Sequence, residues 1–215
     1  MIKKYNQYIK ENNTIYSSDE IDPYGEEIWD DDIISIPVLK IVKKQGIPYE
    51  QIIEFNCSEK YLTSLEGIEN LINLKKLNCN RNNITNLTGI ENLINLEHLN
   101  CSNNNLTSLE GIENLSNLQL LYCSSNNLTN LEGIENLINL QYLSCRGNNL
   151  ISLKGIENLR NLTHLYCSDN NLTSLEGIKN LSNLEYVSCW GNNFSDEYKQ
   201  YLKKYCKKKE IELSS

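Results

Sequence analysis

Seven thiols recur 22 residues apart, at Cys57, Cys79, Cys101, Cys123, Cys145, Cys167 and Cys189. Thiols can ligate metal, pair as disulfides or act as nucleophiles, so their placement decides which chemistry is open. Each of the seven stands where a core leucine belongs, which makes it a small buried hydrophobe. A metal ladder is the alternative, yet zinc takes ligands from several directions and a one-sided row supplies only one. Regular spacing inside a repeat is not a disulfide framework either. Cys206 lies outside the series among lysines and lacks a predictable histidine partner for nucleophilic work. His98 and His164 are three repeats apart, about 14 Å at strand spacing, too far to share one metal or one proton. A row of carboxylates at Glu69, Glu91, Glu113, Glu135 and Glu157 recurs at the same interval. Calcium wants about six to eight oxygens from a curved loop, so a solvated convex rim is the expectation for that row. The chain has no Gly-rich phosphate loop and no H-E-x-x-H. No enzyme, metal or cofactor is expected.

The elements that position these residues come from one repeated frame, L-x-x-L-x-x-L-x-C-x-x-N-N-L-T-x-L-x-G-I-E-N. Only the stretch around L-x-C has period two, so it predicts a brief strand. Leu77 and Cys79 then point inward, while Lys76, Asn78 and Asn80 point outward. The remainder must turn back to bring Leu87, Ile90 and Leu93 to the same interior. One coil cannot bury its leucines alone, and stacked coils make a continuous core with a parallel sheet at about 4.8 Å per strand. Asn82, Asn104, Asn126, Asn148, Asn170 and Asn192 should turn the chain out of each strand and satisfy backbone groups that face the core. Lys60 takes that place in the first unit.

This frame resembles the leucine-rich repeat family over about residues 52–194. The repeat length and the G-I-E-N-L phrase look most like the subclass typified by a protein-phosphatase regulator and by bacterial internalins. Cysteine in place of the second strand leucine looks like repeat proteins of giant DNA viruses of amoebae and of some bacteria. The resemblance implies an α/β fold: a right-handed solenoid with a parallel sheet on its concave face, a short N-terminal cap region and a C-terminal capping helix. The organisation expected is a cap region at 1–51, acidic and partly helical, seven repeats at 52–194, and a capping helix with a basic tail at 195–215.

The formal charge is −8: −4 over residues 1–50, −6 over 51–194 and +2 over 195–215. An acidic solenoid is a poor match for nucleic acid, which attracts clustered Lys and Arg. No run of about 18 apolar residues is present, so no membrane partner is expected. The opening residues lack the apolar stretch of a secretory signal. The N-x-S/T acceptors at Asn83, Asn105, Asn127 and Asn171 are then by-products of an asparagine-rich repeat. A reducing, cytoplasmic setting follows, or the host cytoplasm or virion for a viral chain. The chain has 34 asparagines and no alanine, a bias towards AT-rich codons that suits an AT-rich microbe or a giant virus.

The solenoid needs lids at both ends. Ser195 should cap a helix whose Tyr198, Leu202 and Tyr205 share a face and whose late lysines favour the negative end. That basic run reads as a solvated helix end, with an import signal or an anionic contact as alternatives. Upstream, Pro37 and Gly46 bracket a short helix able to close the first coil. The acidic stretch from Asp19 to Asp32, with Tyr24, Ile28 and Trp29, reads as a solvated segment or as an acidic-aromatic contact motif. Residues 1–18 leave helix, added strand and loose arm open.

Each coil presents three outward strand positions, and there the repeats stop copying one another. Early coils carry Glu54, Asn56, Ser58, Lys76, Asn78 and Asn80. Later coils carry His98, Tyr122, Tyr142, Arg146, His164, Tyr166, Tyr186 and Trp190, interspersed with Ser102, Ser124, Ser144, Ser168 and Ser188. Tyrosine and tryptophan give large contact area at low entropic cost, as interface anchors do. The function expected is therefore a non-enzymatic module that binds a protein or peptide partner on the concave strand face, with those eight residues as the site. Cross-strand stacking for stability alone is the competing account. A structural or self-assembling protein, homo-oligomeric or part of a virion, is the second function, and carbohydrate binding the third.

Overall fold

The computed structural model describes residues 14–16, 38 and 48–215. Among the described residues, nine three-residue strands form one parallel sheet in chain order. They are β1 (Thr14–Tyr16), β2 (Glu54–Asn56), β3 (Lys76–Asn78), β4 (His98–Asn100) and β5 (Leu120–Tyr122). The series continues through β6 (Tyr142–Ser144), β7 (His164–Tyr166), β8 (Tyr186–Ser188) and β9 (Glu212–Ser214). From β2 to β8 the register advances by one repeat per strand, so equivalent residues stand side by side.

The interior is a continuous leucine column. In one coil Leu115, Leu118, Leu121, Cys123, Leu128, Leu131 and Ile134 are all buried. A single such coil would leave its leucines open on two sides, and burial against both neighbours supplies most of the stability, at about 25 cal/mol per Å². All eight cysteines are free and buried, Cys206 among them.

The asparagine ladder forms as expected. Asn82 Oδ1 accepts from the N–H groups of Lys60 and Leu62 at 2.9 and 3.0 Å, and its Nδ2 donates to the carbonyls of Cys57 and Cys79, both at 2.9 Å. A second ladder was not anticipated. On the opposite side of the coil, Asn73, Asn95, Asn117, Asn139 and Asn161 each donate Nδ2 to a carbonyl of the preceding coil at 2.9–3.1 Å.

The glutamate row is more than a solvated rim. Gly89 and its equivalents take φ near 100°, a left-handed conformation that glycine adopts without penalty. The glutamate two residues on turns back, and its Oε2 accepts the glycine N–H: Glu91 from Gly89 at 2.7 Å, Glu135 from Gly133 at 3.0 Å. The last repeat is the control. Lys179 replaces glutamate there and cannot accept; Gly177 is absent from the left-handed set, and the chain runs instead into a longer 3₁₀ segment, Glu176–Asn180.

Helix α1 (Asp196–Lys209) closes the far end. Ser195 caps it by accepting from the Tyr198 N–H at 3.2 Å. Leu202 and Cys206 face the core, so the packing face includes a thiol the sequence placed among solvated lysines. The tail does not simply trail away: β9 pairs with β8, and Ile211 is buried. At the near end, β1 adds a strand beside β2, so Thr14–Tyr16 take the added-strand option; the rest of residues 1–18 lie outside the described residues. Val38 is helical and buried. The remainder of the helix expected up to Gly46, and the acidic stretch from Asp19 to Asp32, lie outside the described residues.

Candidate functional site

Outward residues of the sheet fall into two columns set by the register. One runs Glu54, Lys76, His98, Leu120, Tyr142, His164, Tyr186; the other runs Asn56, Asn78, Asn100, Tyr122, Ser144, Tyr166, Ser188. From β5 onward the tyrosine changes column at each strand. Tyr122 is followed by Tyr142 in the other column, then Tyr166, then Tyr186. Small serines at Ser144 and Ser188 leave room for a ring to lean across, so the tyrosines pack diagonally.

The result is a zigzag ridge. Ring centroids are 4.9 Å apart for Tyr122–Tyr142, and 5.0 Å for both Tyr142–Tyr166 and Tyr166–Tyr186, with planes tilted by 30–38°. His164 fills the remaining place, 5.9 Å from Tyr142 and 6.0 Å from Tyr186. These are favourable offset geometries for aromatic pairs. Tyr142 and Tyr166 each have a tyrosine ring as neighbour on the strand before and the strand after. All five residues are half-buried. Burial first, and then the Tyr166 hydroxyl beside it, raise the Tyr142 hydroxyl well above the usual phenol range.

Two expected members stand apart from the ridge. Arg146 lies over the Trp190 ring at 4.5 Å and donates from Nε to Asp169 Oδ2 at 3.0 Å. Trp190 is 40% exposed. Ser168, between Arg146 and Trp190 in the repeat, is covered and shares a hydrogen bond with Ser188 at 2.8 Å. Ser102, Ser168 and Ser188 were expected at the surface and are buried.

His98 belongs to a different feature. Beyond Tyr122 the face drops into an open recess of about 340 Å³ over β2, β3 and β4. Asn56, Asn78 and Asn100 line one side, with Glu54, Lys76 and His98 on the other. Lys76 Nζ pairs with Glu54 Oε1 at 2.6 Å. Burial first, and then Lys76, hold the His98 imidazole below its ordinary range. Sequence reasoning placed these asparagines outward without seeing a site in them; their only signal was the same residue type at three consecutive equivalent positions.

Among the described residues no group of three or more His, Cys, Asp or Glu is placed to hold a metal ion. Among the same residues no helix is long and apolar enough to cross a membrane.

The family described as leucine-rich repeats, in two copies, matches residues 94–136, 116–161 and 160–200. A leucine-rich repeat protein of Leptospira interrogans aligns with 77% of this chain at 29% identity and TM-score 0.71. Internalin C2 of Listeria monocytogenes aligns with 69% of the chain and 75% of its own length, at 31% identity and TM-score 0.55. The functional domain of InlJ from Listeria monocytogenes, described as including a cysteine ladder, aligns with 67% of the chain at 30% identity and TM-score 0.62. The chain spans 44% of the Leptospira protein and 31% of the InlJ structure. No curated protein matches. All three relatives are bacterial, and the resemblance to repeats of giant DNA viruses gains no support from them.

Proposed function

The chain belongs to the leucine-rich repeat family, and on that premise we propose that its outer sheet face binds a protein or peptide partner along the tyrosine ridge. The observation that carries this reading is the break between β4 and β5. Three strands build the same sheet with asparagine and charged residues, so folding does not require the aromatics that crowd the next four. Half-buried tyrosines, fixed by their neighbours, lose little entropy on binding.

The ridge geometry favours a peptide over a sugar. A sugar ring is held by laying its C–H face on an open aromatic face, and Tyr142 and Tyr166 each stand between two other tyrosine rings at 4.9–5.0 Å. Edges and hydroxyls suit the mixed apolar and polar surface of a polypeptide.

Tyr142→Ala with Tyr166→Ala removes the centre of the ridge. Peptides enriched on the wild-type chain from a random display library should be lost by this double variant. Its melting should fall only by what half-exposed cross-strand pairs contribute, about 0.2–1 kcal/mol each. Retained capture by the double variant rejects the ridge as the docking surface.

A further inference from the structure

The recess beside the ridge contains a row of pre-set donors. Asn56, Asn78 and Asn100 are consecutive in one column, so their amides stand about 4.8 Å apart. The side-chain oxygen of each is already engaged. Asn56 Oδ1 accepts from the Ser58 N–H at 3.1 Å, Asn78 Oδ1 from the Asn80 N–H at 3.2 Å, and Asn100 Oδ1 from the Ser102 N–H at 3.2 Å. Those bonds turn each oxygen towards the chain and leave Nδ2 as the group offered to the recess. None of the three Nδ2 groups has a partner among the described residues. Among the described residues Glu54 is the one acidic group lining the recess, and its Oε1 is paired with Lys76. His98 and Lys76 line the opposite column.

A lined space that offers N–H donors and keeps its own acceptors occupied is complementary to an anionic oxygen ligand. We propose that the recess is a carboxylate subsite that takes an aspartate or glutamate side chain of the peptide segment docked along the tyrosine ridge. This rests on the ridge being the docking surface, since Tyr122 forms the wall between the two and a segment leaving the ridge passes directly over the recess. The volume admits one or two side chains and not a further strand. An anionic acceptor held by several N–H groups gains charge-assisted hydrogen bonds, roughly twice as strong as neutral ones.

The test uses the full chain and a random peptide display library. Enriched peptides should carry an acidic residue at a constant offset from their apolar or aromatic positions. Exchanging that residue for its amide should weaken binding about tenfold or more. Asn78→Asp with Asn100→Asp keeps side-chain shape and the Oδ1 acceptor while replacing the donors by anionic oxygen. Melting should fall modestly through repulsion between the two neighbouring carboxylates, acidic peptides should lose at least as much affinity, and the two losses should not add. Enriched peptides without a placed acid, or acidic peptides indifferent to the paired aspartate variant, overturn the subsite. Peptides lost by Tyr142→Ala with Tyr166→Ala but indifferent to the asparagine changes overturn the subsite and keep the ridge. Peptides indifferent to the tyrosine changes overturn the ridge, and failure to enrich any peptide overturns both.

Discussion

A thiol in the leucine column is the residue-scale signature of this chain, and its cost appears at high pH. Burial is the first cause that pushes Cys57, Cys101, Cys145 and Cys189 up to about 12, and it raises Cys79, Cys123 and Cys167 as well. Below the ordinary thiol value of 9.0, folded and unfolded chains hold the same thiol protons. Above it the unfolded chain releases protons that the folded chain keeps, so stability falls as pH climbs from 9.0 towards about 12. We expect an alkaline unfolding transition in that window, followed by circular dichroism, and a midpoint moved to higher pH by Cys145→Val. An unmoved midpoint would mean that the thiols do not drive the transition. The same burial, and not a chemical role, accounts for the thiols that the sequence made so conspicuous. Their periodicity was legible. That Cys206 would join them was not, because helix docking decides which face of α1 is inside.

At the scale of the element, each coil is closed by polar side chains that reach across to its neighbour. Asn126 accepts from the Leu106 N–H at 3.0 Å and donates to the Cys101 and Cys123 carbonyls, both at 3.1 Å. Asn126→Ala leaves these buried backbone groups without partners, a loss of about 1–3 kcal/mol. A thermal or denaturant melt measures it, and an unchanged transition would contradict a load shared between coils. This ladder could be read from spacing alone, since one residue type in one place of every repeat has one geometric job. The glutamates were expected as a solvated rim, and their capping role was not foreseen. Their job is visible only when Gly89 is seen in its left-handed conformation with the N–H turned towards Glu91.

The whole molecule is a stack with two ends, and its stability depends on closing them. Leu202, Cys206 and Ile211 are buried at the far end, and the Tyr198 hydroxyl accepts from the Leu175 N–H at 2.6 Å. Removing residues 195–215 strips three buried side chains, at about 1.5–3 kcal/mol each. Melting should fall by roughly 10–20 °C, with self-association through the opened last coil; light scattering and calorimetry check both, and an unaltered monomer would deny the lid its role. By itself, the sequence determined the coil, its interior and its asparagine turns, because identical units stacked in register have one way to bury their leucines. Only the tertiary structure decided how Tyr122, Tyr142, Tyr166 and Tyr186 lean across columns, how Arg146 reaches Trp190, why Ser168 is covered, and where the asparagine recess opens. Those outcomes depend on side chains from different coils meeting at strand spacing, a neighbour relation that no single repeat contains.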